Sequence, residues 1–159
     1  MRTRSLMVSA TLFSALVLAL AAMGIAADKH DGTWKVNVAK SKYNPGPAPK
    51  SLTTKRETVG NSAKTVFDGV DADGKTIHYE YTATFDGKDC PIIGSPNFDA
   101  ISLKRIDADT FEWVTKKGGK EVAHGRTVYS KDGKTRTQTE KSKDAKGQEV
   151  TSIVVYEKQ

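Results

Sequence analysis

The chain has 159 residues, 25 Lys+Arg against 19 Asp+Glu, and a formal net charge of +6. Its charges alternate in sign and form no basic block, which excludes the footprint of a nucleic-acid-binding protein. A single cysteine, Cys90, excludes an internal disulfide, so the fold must hold by packing alone.

In chain order, the first element is a leader. Arg2 and Arg4 precede LMVSATLFSALVLALAAMGIAA, an apolar run with no acidic residue before Asp28. Basic start, apolar middle and the small residues Gly24, Ala26 and Ala27 describe a secretory signal peptide over residues 1–27, cut after Ala26 or Ala27. A retained anchor is the alternative, since the run is long enough to cross a bilayer. No cysteine near the cut supports a lipid anchor. The expectation is an exported protein, periplasmic or extracellular, without stable membrane insertion after cleavage. Residues 28–159 then form a single domain, able to bury roughly two-thirds of its unfolded surface as a monomer.

Cleavage after Ala27 would leave Asp28-Lys29-His30 at the terminus. A free amine, two backbone amides and a third-position imidazole can place four nitrogens in a plane, which suits Cu(II) or Ni(II). No other metal or cofactor is expected.

Beyond residue 28 the pattern is all-β. Turn signals recur at Gly60-Asn61, Asp73-Gly74, Asp86-Gly87, Asp109, Gly118-Gly119, Asp132-Gly133 and Lys146-Gly147. Runs rich in Thr, Val, Tyr, Phe and Ile lie between them. They predict strands near 31–38, 52–60, 63–70, 75–85, 99–106, 110–117, 120–130, 134–143 and 148–157. No segment shows a sustained helical apolar period. Tight turns between consecutive strands predict an up-and-down antiparallel β-barrel of 8–10 strands, because closure removes the exposed edges of a long meander.

Alternation assigns the faces. Trp34, Val36 and Val38 share an inward side, as do Ile77, Tyr79, Tyr81, Ala83 and Phe85, and as do Phe111 and Trp113. In the seventh strand Val122, His124, Arg126 and Val128 compete with Ala123, Gly125, Thr127 and Tyr129. The eighth, KTRTQTEKSK, is polar on both sides and is either a solvated edge or a wet interior wall. Between the first two strands, SKYNPGPAPK carries Pro45, Pro47 and Pro49, which forbid a helix and favour an extended segment. VDADGKT (70–76) resembles the opening of a calcium loop but lacks the terminal bidentate Glu, and reads as a hairpin turn.

Gly32-Thr33-Trp34 resembles the Gly-x-Trp signature of the calycin superfamily, which holds lipocalins and fatty-acid-binding proteins. The closing Tyr156-Glu157-Lys158 resembles the final strand of the fatty-acid-binding proteins, and the whole mature chain resembles small exported bacterial proteins described as lipocalin-like. The resemblance implies that Trp34 closes the barrel floor beneath a basic side chain. Two departures matter. Fatty-acid-binding proteins place an Arg two residues before that tyrosine, to clamp a carboxylate, where this chain has Val154. They also insert two helices where this chain has its proline-rich loop, which implies a barrel without a helical lid.

These readings give a non-catalytic binding protein for a small hydrophobic or amphipathic molecule. Tyr79, Tyr81, Phe111 and Trp113 form its apolar wall, and Arg126 or Tyr156 its polar anchor. Arg56 and Arg126 are ordinary surface if they point outward, and need a partner or an anionic ligand if they point inward. His78 and His124 have no metal-ligand spacing. Cys90 is expected as a small buried residue. There is no Gly-x-Ser-x-Gly elbow, no His-Glu-x-x-His and no phosphate loop. The alternative is a structural or interaction domain with a filled core, and a connected cavity above roughly 300 Å³ is the criterion that separates the two.

Overall fold

The structure is a computed structural model that describes residues 28–44, 46–144 and 146–159. The leader over 1–27, its cleavage site and Pro45 lie outside the described residues. Ten strands follow in order: β1 (Gly32–Val36), β2 (Ser51–Val59), β3 (Ser62–Val70), β4 (Thr76–Thr84), β5 (Asp86–Ile93), β6 (Ala100–Arg105), β7 (Thr110–Lys117), β8 (Lys120–Tyr129), β9 (Thr135–Lys143) and β10 (Glu149–Lys158). Each pairs antiparallel with its sequence neighbours. The pairing of β1 with β10 (Trp34 opposite Lys158, Val36 opposite Tyr156) closes the barrel. Helical geometry among the described residues is confined to one 3₁₀ turn, Val38–Lys40, and no helix among these residues is long and apolar enough to cross a membrane.

The turns form where the sequence provides positive φ. Gly60, Gly74, Gly118, Gly133 and Gly147 all take it, and Asp71 closes the VDADGKT hairpin through its carboxylate and carbonyl. Asp86-Gly87 differs in one respect. Gly87 also takes positive φ and the chain reverses there from β4, but the two residues already belong to β5, with a register shift between Asp86 and Asp89 against β6. This strand escapes the sequence pattern because it opens on an Asp-Gly pair and carries Pro91, both depleted in strands. Its ladder to β4 is correspondingly short, limited to Glu80 opposite Ile93 and Tyr81 opposite Ile92.

A second correction concerns Val38. The first strand stops at Val36, Asn37 caps the 3₁₀ turn, and Val38 turns outward at 41% exposure. The chain then rejoins the barrel, since Lys42 exchanges both backbone hydrogen bonds with Ile153 at 2.7 Å.

The competing faces resolve simply. In β8 the inward set is Ala123, Gly125, Thr127 and Tyr129, with Val122 as the extra residue of a bulge between Thr115 and Lys116 of β7. β9 is the wet interior wall, turning Arg136, Gln138, Glu140 and Ser142 inward. Trp34 is fully buried at the floor. Its Nε1–H donates to the His30 carbonyl at 3.0 Å, and its ring lies within 5.5 Å of the Arg136 guanidinium and 5.4 Å of Lys158 Nζ. Burying a large side chain of this kind contributes about 1.5–3 kcal/mol.

Candidate functional site

The interior is not filled. A cavity of about 580 Å³ runs between the floor and the mouth, lined by side chains of nearly every strand. Its upper wall is aromatic. Phe67 stacks on Tyr79 at 4.4 Å, and Tyr79 meets Phe98 edge-on at 5.2 Å. Tyr81, Phe111 and Trp113 also face the cavity, so four expected wall residues (Tyr79, Tyr81, Phe111 and Trp113) share one space. Burial raises the phenol pKa of Tyr79 and of Tyr81 and pushes that of Tyr156 up to about 12. These phenols therefore stay neutral near pH 7, and the wall's charge comes from a few other groups.

The deep end holds the main cation. Arg136 is 5% exposed and sits near the start of β9, directly across from Tyr156. Its guanidinium lies 4.1 Å from the centre of the Tyr156 ring. Nη2–H donates to Thr54 Oγ1 at 2.8 Å, and Nη1–H reaches the Tyr129 hydroxyl at 3.5 Å. Among the described residues no carboxylate lies within ion-pair distance, and Nε is buried without a protein partner. Burial works against this charge, but Tyr129 and Tyr156 outweigh it and the pKa is raised.

Arg126 lies elsewhere, which corrects the expectation of a polar anchor. It projects from the outer surface of β8 and pairs with Glu112 at 2.6 Å. Tyr156, the other expected anchor, does face the cavity, but beneath Arg136 as a stacking partner. Val154 is buried beside it, so the cation missing from β10 is supplied one strand away, by β9. Arg136 escapes sequence reading because its strand is polar on both faces. The available signal is the contrast between Arg136, Gln138, Glu140 and Ser142 on one face and the threonines of the other.

Arg56 also points inward, but it is neutralised. Its Nη1–H donates to Asp31 at 2.8 Å, and Asp28 lies 4.0 Å from Nη2. Asp31, Asp28 and His30 belong to the short N-terminal segment that seals the floor. His30 is 1% exposed, packed 4.3 Å from the Tyr129 ring and 5.2 Å from Phe111. Asp28 Oδ1 approaches its Nδ1 to 2.5 Å without the alignment of a hydrogen bond, and accepts from the His30 backbone N–H at 3.0 Å. Burial, together with Arg56 and Arg105, pushes the imidazole pKa below its usual value despite Asp28. Burial raises the Asp28 carboxyl, but the His30 amide and the neighbouring cations more than reverse it. This geometry opposes copper capture at Asp28-Lys29-His30. The imidazole is buried under the barrel, and the His30 amide is committed to Asp28.

His78 and His124 are exposed and paired with Asp68 (2.6 Å) and Glu121 (2.7 Å) on the outer surface. Cys90 is half-buried against the core.

No family model matches the sequence, and no curated protein matches it. Solved structures do. Zebrafish ileal bile acid-binding protein complexed with cholic acid aligns over 82% of this chain and 99% of its own, at 12% identity and a TM-score of 0.53. Lobster apocrustacyanin A1 aligns over 82% of this chain and 61% of its own, at 8% identity and a TM-score of 0.46. The first likeness, with the closed ten-strand antiparallel barrel, shows a calycin-like fold without a helical lid.

Proposed function

We propose that this protein is an exported, non-catalytic binding barrel for a small amphipathic molecule with an anionic head. The head sits against Arg136 and the apolar body extends along Phe67, Tyr79 and Phe98 toward the mouth. The observation that carries this reading is the deep guanidinium. A buried charge is ordinarily paired, and Arg136 has polar neighbours but no counter-charge among the described residues. A carboxylate or similar anion satisfies it with charge-assisted hydrogen bonds.

The cavity's size supports the same reading. About 580 Å³ falls within the range of small-molecule sites, whereas a purely structural barrel needs a filled interior. The bile-acid-binding neighbour, complexed with cholic acid, agrees in fold. The basic-apolar leader read over residues 1–27 supports export.

Native mass spectrometry of the protein purified from its own cells tests the proposal. The expected spectrum carries a one-to-one adduct of an acidic, lipid-sized molecule that is missing from Arg136→Met. A bare mass that takes up no laurate on titration would overturn the proposal.

A further inference from the structure

Halfway up the cavity the registers place four residues in one row across the wall: Trp113 on β7, Gly125 on β8, Glu140 on β9 and Ser152 on β10. Cross-strand neighbours on one face stand about 4.5–5.5 Å apart at Cβ. Gly125 has no side chain, and the Trp113 indole occupies the space a side chain would take. A Cβ built there would lie 2.5 Å from Cζ2 and 2.9 Å from Cε2 of the ring. The indole therefore lies against β8 at Gly125, the residue between Trp113 and Glu140 in the row. Trp113 Nε1 is buried and has no hydrogen-bond partner. Beyond the row, the Tyr43 hydroxyl is also buried without one.

Glu140 is half-buried and faces the same cavity. Among the described residues it forms no ion pair, although Arg136 stands four residues away on its own strand. Its carboxyl is pushed above the usual range by burial alone, and its charge is felt at Tyr43, Tyr79 and Tyr156. A committed donor and a committed acceptor thus sit in one row, on two residues that line the cavity, and neither has a hydrogen-bond partner among the described residues. An indole N–H can only donate, and a carboxylate can only accept.

We infer that the row is a second polar subsite that takes a ligand hydroxyl, accepting from Trp113 Nε1–H and donating to Glu140. A hydroxyl serves both roles at once, whereas an ammonium cannot accept and a carbonyl cannot donate. The inference rests on the binding reading above and refines it. The ligand is an anionic amphipath hydroxylated along its body. The hydroxyl lies roughly 13 Å from the head, measured as the rise of four residues along a strand.

The test is calorimetric titration of the protein with laurate and with hydroxylaurates bearing the hydroxyl at successive mid-chain and terminal positions. For wild type, at least one hydroxy isomer should bind about tenfold tighter than laurate. Glu140→Leu and Trp113→Phe should each bring the affinity for the preferred hydroxy isomer down to that for laurate in the same variant, and Glu140→Gln, which still accepts, should keep part of the preference. Laurate binding with no isomer preferred, or a preference that survives both Glu140→Leu and Trp113→Phe, would overturn the subsite while leaving the binding reading intact. Failure of every ligand, laurate included, would remove both.

Discussion

A buried arginine surrounded by phenol and hydroxyl groups is an expensive residue for a protein to keep if it has only a packing role. Replacing Arg136 with methionine should therefore hold or raise Tm in a thermal melt, while removing the proposed anion site. The carboxyl of Glu140 gives a parallel case. Its folded pKa is raised by burial, so its favourable contribution is complete below the ordinary glutamate value of about 4.3 and is lost as pH rises through the folded pKa. Glu140→Gln is expected to raise Tm by a few degrees at neutral pH and to leave it nearly unchanged at pH 4. His30 carries the opposite sign. Its folded pKa is depressed, so its contribution is complete above about 6.5 and is lost as pH falls below that value toward the folded pKa. Melts across this window should show Tm falling with pH, and His30→Phe, which keeps the contacts with Tyr129 and Phe111, should flatten the slope. At this scale the sequence is legible where alternation is clean, as at Tyr79, Tyr81, Phe111 and Trp113. It is opaque at Arg136, because a polar strand gives no clue to which of its faces lines a cavity. It misleads at Arg126, whose outward face is fixed by the register with Glu112 of β7.

The strands differ in how firmly the barrel holds them. β9 and β10 share nine consecutive register pairs, from Glu149 opposite Lys143 to Glu157 opposite Thr135, whereas β4 and β5 share only two. Local opening follows the weakest ladder. Hydrogen exchange should therefore run faster across Asp86–Ile93 than across β9 and β10, and equal protection of the two regions would contradict the irregular seam. The same strand explains the largest gap in the sequence reading. Nine strands are visible in the periodicity, and the tenth is masked by Asp-Gly, Pro91 and a bulge, none of which alternation can register. Gly125 is a further element-scale constraint. An added methyl would meet the Thr139 carbonyl at 2.3 Å as well as the indole, and backbone cannot yield as a flexible side chain does. Gly125→Ala should destabilise the barrel by about 1–3 kcal/mol in denaturant unfolding and displace Trp113 into the cavity.

For the molecule as a whole, closure and cavity are consequences of one pattern. Large aromatics fill the floor around Trp34, aromatic and polar side chains share the wall above it, and the segment through Lys42 rejoins the barrel alongside Ile153 of β10. The turn spacing and the Gly32-Thr33-Trp34 start make the closed meander readable in advance. The cavity is not readable in this way, because its volume depends on how the indole lies across Gly125 and on which face of β9 turns inward. The central proposal is that a deep guanidinium, without a carboxylate partner among the described residues, holds an anionic ligand in this barrel. Calorimetric titration of wild-type protein and Arg136→Met with laurate tests it most directly. Saturable one-to-one binding by wild type, weakened at least tenfold in a variant of undiminished Tm, is the predicted result. Equal affinity in the two proteins, or no binding by wild type, would contradict it.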